Sequence, residues 1–155
     1  MTAKYVKNGM NYNLPLFLEN GLCEFINRQW FNESPKSFLC YLKQNNLLFQ
    51  ELSNEIIIDN SLVALPEFPE STNKCTDRFN KAFDTIIEQY ANKTGFNVVI
   101  LVTHFFGIQC LCEKMNIPLD NFDIEYCSTF VFRFNKDNNE FKFENNFYPI
   151  DEEIY

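Results

Sequence analysis

The chain has 155 residues, enough for one domain of ordinary size with a sizeable buried core. Lys and Arg total 13 against 21 Asp and Glu, a net charge of −8, which argues against the cationic face needed to bind a nucleic-acid backbone or an anionic lipid surface. Hydrophobic residues make up 46%, the composition of a globular chain and not of a disordered one. The excess of Phe and Asn reads as compositional bias without chemical meaning.

The opening, Met1-Thr-Ala-Lys-Tyr-Val-Lys-Asn8, has two lysines but no apolar run behind them, so no secretory signal is expected. No stretch approaches the roughly 18 consecutive apolar residues of a membrane-spanning helix. The expected location is therefore cytoplasmic and reducing. Leu16-Phe-Leu18 follows Pro15 and suits a short buried strand that Gly21 breaks. Ser34-Pro35 predicts a helix start, with Ser as cap and Pro in the first helical position. That helix runs through Phe38, Leu39 and Leu42 to Asn45 or Asn46. Gln50 to Pro69 shows no period and reads as a long connection.

Ser71 is the next cap. Behind it Cys75, Phe79, Ala82, Phe83, Ile86 and Tyr90 recur at three- and four-residue spacing, predicting an amphipathic helix that ends near Thr94-Gly95. Asn97-Val-Val-Ile-Leu-Val-Thr103 is a continuous, largely β-branched apolar run, the pattern of a strand covered on both faces. Phe106 to Met115 reads as a helix. Ser128 to Phe134 and Phe141 to Phe147 read as a hairpin around Lys136-Asp-Asn-Asn139. This order predicts a three-layer α/β domain spanning residues 1–155.

The six cysteines form no C-x-x-C pair, and Cys110 and Cys112 lie two apart, a spacing that cannot face one way on a helix. With one histidine in the chain, a Cys/His zinc site has little support, and the thiols read as small buried hydrophobes. No cofactor and no metal are expected. The single histidine, His104, lies just past the end of the best strand pattern, at the turn into a helix. Ligands of open α/β sheets bind beyond the carboxyl ends of strands, and a helix N-terminus favours an anion there. Two uses stay open for it: contact with a phosphate, or a hydrogen-bonded structural role.

The residues around it carry a resemblance. Val98-Val-Ile-Leu-Val-Thr-His104-x-x-Gly107-Ile108 resembles the second-histidine motif of the histidine phosphatase superfamily, the phosphoglycerate mutase-like fold. Pro69-Glu70-Ser71 with Asp77-Arg78-Phe79 resembles the family's G/P-E-S segment and the helix behind it. Leu18-Glu19-Asn20-Gly21-Leu22-Cys23-Glu24-Phe25 resembles the G-L-x-E segment of the branch that holds the T-cell-signalling suppressor phosphatases. Tyr126-Cys-Ser-Thr-Phe-Val-Phe-Arg133 resembles the strand that follows, and Thr2-Ala3 the tail of the family's R-x-x-Q-T-A segment. These matches lie in family order along nearly the whole chain.

The resemblance implies transfer of a phosphoryl group from a phosphomonoester to a histidine, then to water. It implies that His104 contacts the phosphate and stabilises transition-state charge, and that Glu24 is the general acid. It makes Glu70 a capping or orienting residue, Arg78 structural and Cys23 packing. Departures accompany the matches. The family's R-H-G nucleophile motif is not among these 155 residues, and Arg28, Arg78 and Arg133 do not fall at the phosphate-binding arginine positions. Phe105 stands where Gly usually follows the histidine. The expectation is thus a phosphoglycerate mutase-like sheet, N-terminally truncated and lacking its first, central strand. It would be a phosphatase acting on a phosphorylated small molecule or phosphoprotein when complete, and inactive as given. The alternative is a non-catalytic pseudophosphatase that binds protein. Val98 to Val102 would then present an open apolar edge for a protein partner or a second copy.

Overall fold

The computed structural model describes residues 6, 8–10, 15–32, 34, 56–57, 61–90, 98–121, 124, 128–138 and 140–147. In chain order its elements are β1 (Leu16–Phe17), β2 (Ile56–Ile57), α1 (Thr72–Tyr90), α2 (Phe105–Lys114), β3 (Thr129–Asn135) and β4 (Glu140–Phe147). β1 pairs in parallel with β2, and β3 pairs antiparallel with β4. Parallel pairing, helices and a hairpin together make the α/β class that the sequence predicts. Among the described residues the two sheets are separate.

α1 forms where the cap and the apolar stripe require it. The Lys74 N–H donates to Ser71 Oγ (3.3 Å), satisfying one of the orphan donors of the first turn. Cys75, Phe79, Ala82, Phe83 and Ile86 are buried along one face. Arg78 is buried on that same face. The core gathers Cys75 and Phe79 of α1 with Cys110 of α2, and Leu22, Phe25 and Phe106 close over it. In β3 the burial alternates residue by residue, the period-two pattern of a strand with one face covered. The hairpin docks on α1 through Phe141, whose ring lies 5.3 Å from that of Phe83.

Several expectations need correction. Val98 to Thr103 is not a strand: it has no ladder partner among the described residues, and Val98, Val99 and Ile100 are 70%, 43% and 45% exposed. High β-propensity fits a residue to a pleated, covered surface, and here only Leu101 to Thr103 are half-buried while the first three residues are exposed. To the long connection expected from Gln50 to Pro69 the described residues add the two-residue strand β2 and a loop at 61–63 held by Glu19. The buried strand at Leu16–Leu18 is a two-residue strand with Phe17 41% exposed. The helix expected behind Ser34-Pro35, the Thr94-Gly95 helix end, Cys40 and Cys127 lie outside the described residues. Helix α2, the hairpin and the Ser71-capped helix stand where they were expected. Cys23, Cys75, Cys110 and Cys112 are free thiols, the last three buried.

Candidate active site

Glu24 and His104 are 80 residues apart in sequence and adjacent in space. The His104 Nδ1 lies 3.1 Å from Glu24 Oε2. The other carboxylate oxygen, Oε1, accepts from the Phe25 N–H (2.8 Å), which fixes the carboxylate against its own backbone. The imidazole is 55% exposed and the carboxylate 27%, so a ligand reaches both.

His104 holds this place because it is the residue before α2. Its backbone is extended, and its carbonyl accepts the N–H groups of Gly107 (3.0 Å) and Ile108 (3.2 Å), opening the helix. Its side chain makes no capping bond, so the ring is free to turn toward Glu24. No acidic residue stands in the first turn of α2. The helix therefore presents its positive end beside the histidine.

The Glu24 segment has no regular structure of its own beyond a 3-10 turn at Asn20–Leu22. It is held by two buried ion groups and a loop. Arg78 and Glu70, 7% and 6% exposed, form a bidentate pair, Nε to Oε1 and Nη2 to Oε2, both 2.8 Å. Arg78 also donates to the carbonyls of Gly21 (2.8 Å), Cys23 (3.0 Å) and Glu24 (3.2 Å). The Glu70 N–H donates to the Ile26 carbonyl (2.8 Å). On the other side, Glu19 accepts from the N–H groups of Gly21, Leu62 and Val63 and from the Ser61 hydroxyl. Burial opposes the charge on Arg78. The bond to Glu70, the Glu70 charge and the neighbouring thiols of Cys23 and Cys75 together outweigh it and hold the guanidinium above its ordinary range.

Two glycines permit the close approach. A Cβ on Gly21 would strike Ala82 of α1, and one on Gly107 would strike Thr103 and Phe79. Both belong to motifs singled out in the sequence, and both let neighbouring side chains pack directly against the glycine backbone.

Burial raises the thiol of Cys23, beside Glu24, to about 11; Arg78 pulls it down and Glu70 pushes it up. It is therefore a protonated packing group and no thiolate nucleophile. Desolvation pushes up Cys75, Cys110 and Cys112 as well. No three His, Cys, Asp or Glu among the described residues are arranged to hold a metal ion. No described helix is long and apolar enough to cross a membrane.

A carboxyl, an imidazole and a helix N-terminus on one exposed rim can receive an anion and exchange a proton with it. A family model for the histidine phosphatase superfamily, branch 1, matches residues 1–146. The chain belongs to this family. No curated protein and no solved structure matches it. In this member of the superfamily, the sequence picked out Glu24 and His104, and the structure brings them together. Phe105, next to His104, is 56% exposed, so it does not wall the histidine off.

Sequence reasoning assigned Glu70 an orienting role and Arg78 a structural one, but it missed what they hold. A signal was present: Arg78 lies in the stripe Cys75, Phe79, Ala82, where a charge is unaffordable without a partner. Thr103 was also missed. Its hydroxyl donates to the Leu22 carbonyl (2.9 Å), bridging the two halves of the site.

Proposed function

We propose that this chain carries part of the active site of a phosphatase that hydrolyses a phosphomonoester through a phosphohistidine. The contact between His104 Nδ1 and Glu24 Oε2 carries the reading. With Nδ1 engaged by the carboxylate, Nε2 is the ring nitrogen left to meet a phosphoryl oxygen. The N-terminus of α2 adds positive potential at the same place. In the first step a nucleophilic histidine takes the phosphoryl group, and the ester oxygen leaves with the proton of the Glu24 carboxyl. In the second, water attacks phosphorus, Glu24 takes its proton, and the phosphorus–nitrogen bond breaks.

His104 is the only histidine of the 155 residues, so this reading requires the nucleophile, and the guanidinium groups that clamp the phosphate, from a longer form of the chain. The resemblance of Leu18–Phe25 to the suppressor-phosphatase segment favours a phosphatase over a mutase. The test is phosphomonoester hydrolysis by that longer form. His104→Ala should reduce kcat by about 10²–10³, the loss seen when one preorganised donor is removed. Glu24→Gln should reduce it by about 10²–10⁴, with the smaller loss on esters whose leaving group needs no proton. Unchanged turnover in His104→Ala would overturn the assignment.

The single histidine also favours a second reading, a pseudophosphatase that binds without chemistry. A form proved to begin at Met1, folded and devoid of hydrolysis, would select that reading.

A further inference from the structure

We infer that Arg78 is the positioning residue of the Glu24–His104 site, acting with Thr103 to set the carboxylate against the imidazole; this rests on the phosphomonoester reading. The backbone bonds of one short stretch carry the argument. The carbonyls of Gly21, Cys23 and Glu24 accept from Arg78, that of Leu22 accepts from Thr103, and that of Ile26 accepts from the Glu70 N–H. Four consecutive carbonyls, ending at Glu24 itself, are thus held by side chains from two other parts of the chain. A coil segment with no ladder of its own gains the fixed backbone that a helix or strand would give it.

Only a guanidinium can do this. Nε and one Nη2 hydrogen are taken by Glu70, both Nη1 hydrogens by Gly21 and Cys23, and the remaining Nη2 hydrogen is shared between the Glu24 carbonyl and the Cys75 sulfur, each 3.2 Å away. All five donors are used, in the planar fork that arginine provides and lysine lacks. Arg78 is 7% exposed and saturated, so it is no phosphate ligand. Its effect on chemistry passes through Glu24. Thr103 closes the arrangement from the other side. It is the residue before His104, so its bond to Leu22 sets the distance between the segment that delivers the imidazole and the stretch that delivers the carboxylate.

The single histidine makes the test clean, because every imidazole signal of the 155-residue chain belongs to His104. The ring-nitrogen spectrum is recorded at one pH for the wild type and for Glu24→Gln, which defines the signal of a ring without its carboxylate. Thr103→Val keeps the shape of the side chain and removes the tether. It should move the Nδ1 resonance most of the way to the Glu24→Gln position, while Thr103→Ser should leave it at the wild-type position. Arg78→Lys should move it in the same direction. A folded Thr103→Val chain whose Nδ1 signal stays at the wild-type position overturns the inference, and it decides alone if Arg78→Lys does not fold. Inorganic phosphate added to the wild type tests the underlying reading separately. A His104 ring indifferent to phosphate overturns that reading while the variants still report on the clamp.

Discussion

Two segments enter the site from opposite sides, and they invert what their sequences promise. Residues 98–103 have an ideal strand composition, yet they make no ladder among the described residues, and the first three of them are exposed. Residues 21–26 have no periodic pattern at all, yet nearly every carbonyl is bonded by a side chain or backbone from elsewhere. Order here follows from the partners of the backbone and not from the propensity of the segment. The Glu24 carboxylate sits on the segment without a period of its own.

The sharpest way to break this contrast is Arg78→Met. It leaves Glu70 buried and unpaired and should cost about 3–5 kcal/mol, read as the urea midpoint at constant slope. Adding Glu70→Leu should restore only part of the loss, because the carbonyls of Gly21, Cys23 and Glu24 still lack their donor. Full restoration would mean that the ion pair matters and the carbonyl clamp does not.

Gly107→Ala tests the packing beneath the clamp. Alanine gains about 1 kcal/mol of helix propensity, but its Cβ meets Phe79, only 4% exposed, and Thr103. Overpacking of about 1–3 kcal/mol should win, giving a lower melting temperature. A more stable variant would show that this contact yields easily.

The pH dependence is smaller and has a definite sign. The Cys23 thiol rises from 9.0 to about 11 on folding, so the folded state favours the protonated form. Its contribution to stability is complete below pH 9 and is lost as pH climbs through about 11. Urea midpoints should be level up to pH 9 and then decline. Cys23→Ala should make the decline shallower, though Cys75, Cys110 and Cys112 act in the same direction. An identical decline in that variant would remove Cys23 from the account.

The smallest effect belongs to the exposed segment. Val98→Thr should change stability by less than about 0.5 kcal/mol, since the side chain is 70% exposed. A larger loss would show that Val98 is covered in solution, and the contrast between the two segments would weaken.

These contrasts explain how much was legible in the sequence. α1 was readable because its stripe and its cap are local, and the hairpin because aromatic residues alternate on either side of a polar turn. His104 and Glu24 were readable because the order of motifs, from Leu18–Phe25 through Pro69-Glu70-Ser71 to Thr103-His104, resembles a family to which the chain belongs. The pairing of β1 with β2 was not readable, since two residues show no period. The clamp was hidden for another reason: its acceptors are backbone carbonyls, which every residue has, and side-chain patterns do not mark which will be used. The strand expected at 98–103 is not formed because composition records a preference for pairing and is silent about whether a partner lies alongside.

The bond from Thr103 to Leu22 spans 81 residues, and those from Arg78 to the Glu24 stretch span 54 to 57. Contacts of such sequence separation require large loops to close before they contribute, whereas α1 and the β3–β4 hairpin close locally. The site is therefore expected to assemble late in folding, on a scaffold already formed. In pulse-labelled hydrogen exchange, the amides of α1 should gain protection before the Gly21 amide does; simultaneous protection would place the site in the folding nucleus. On that expectation the Glu24–His104 geometry belongs to the finished molecule, and a partly folded form holding only α1 and the hairpin would lack it.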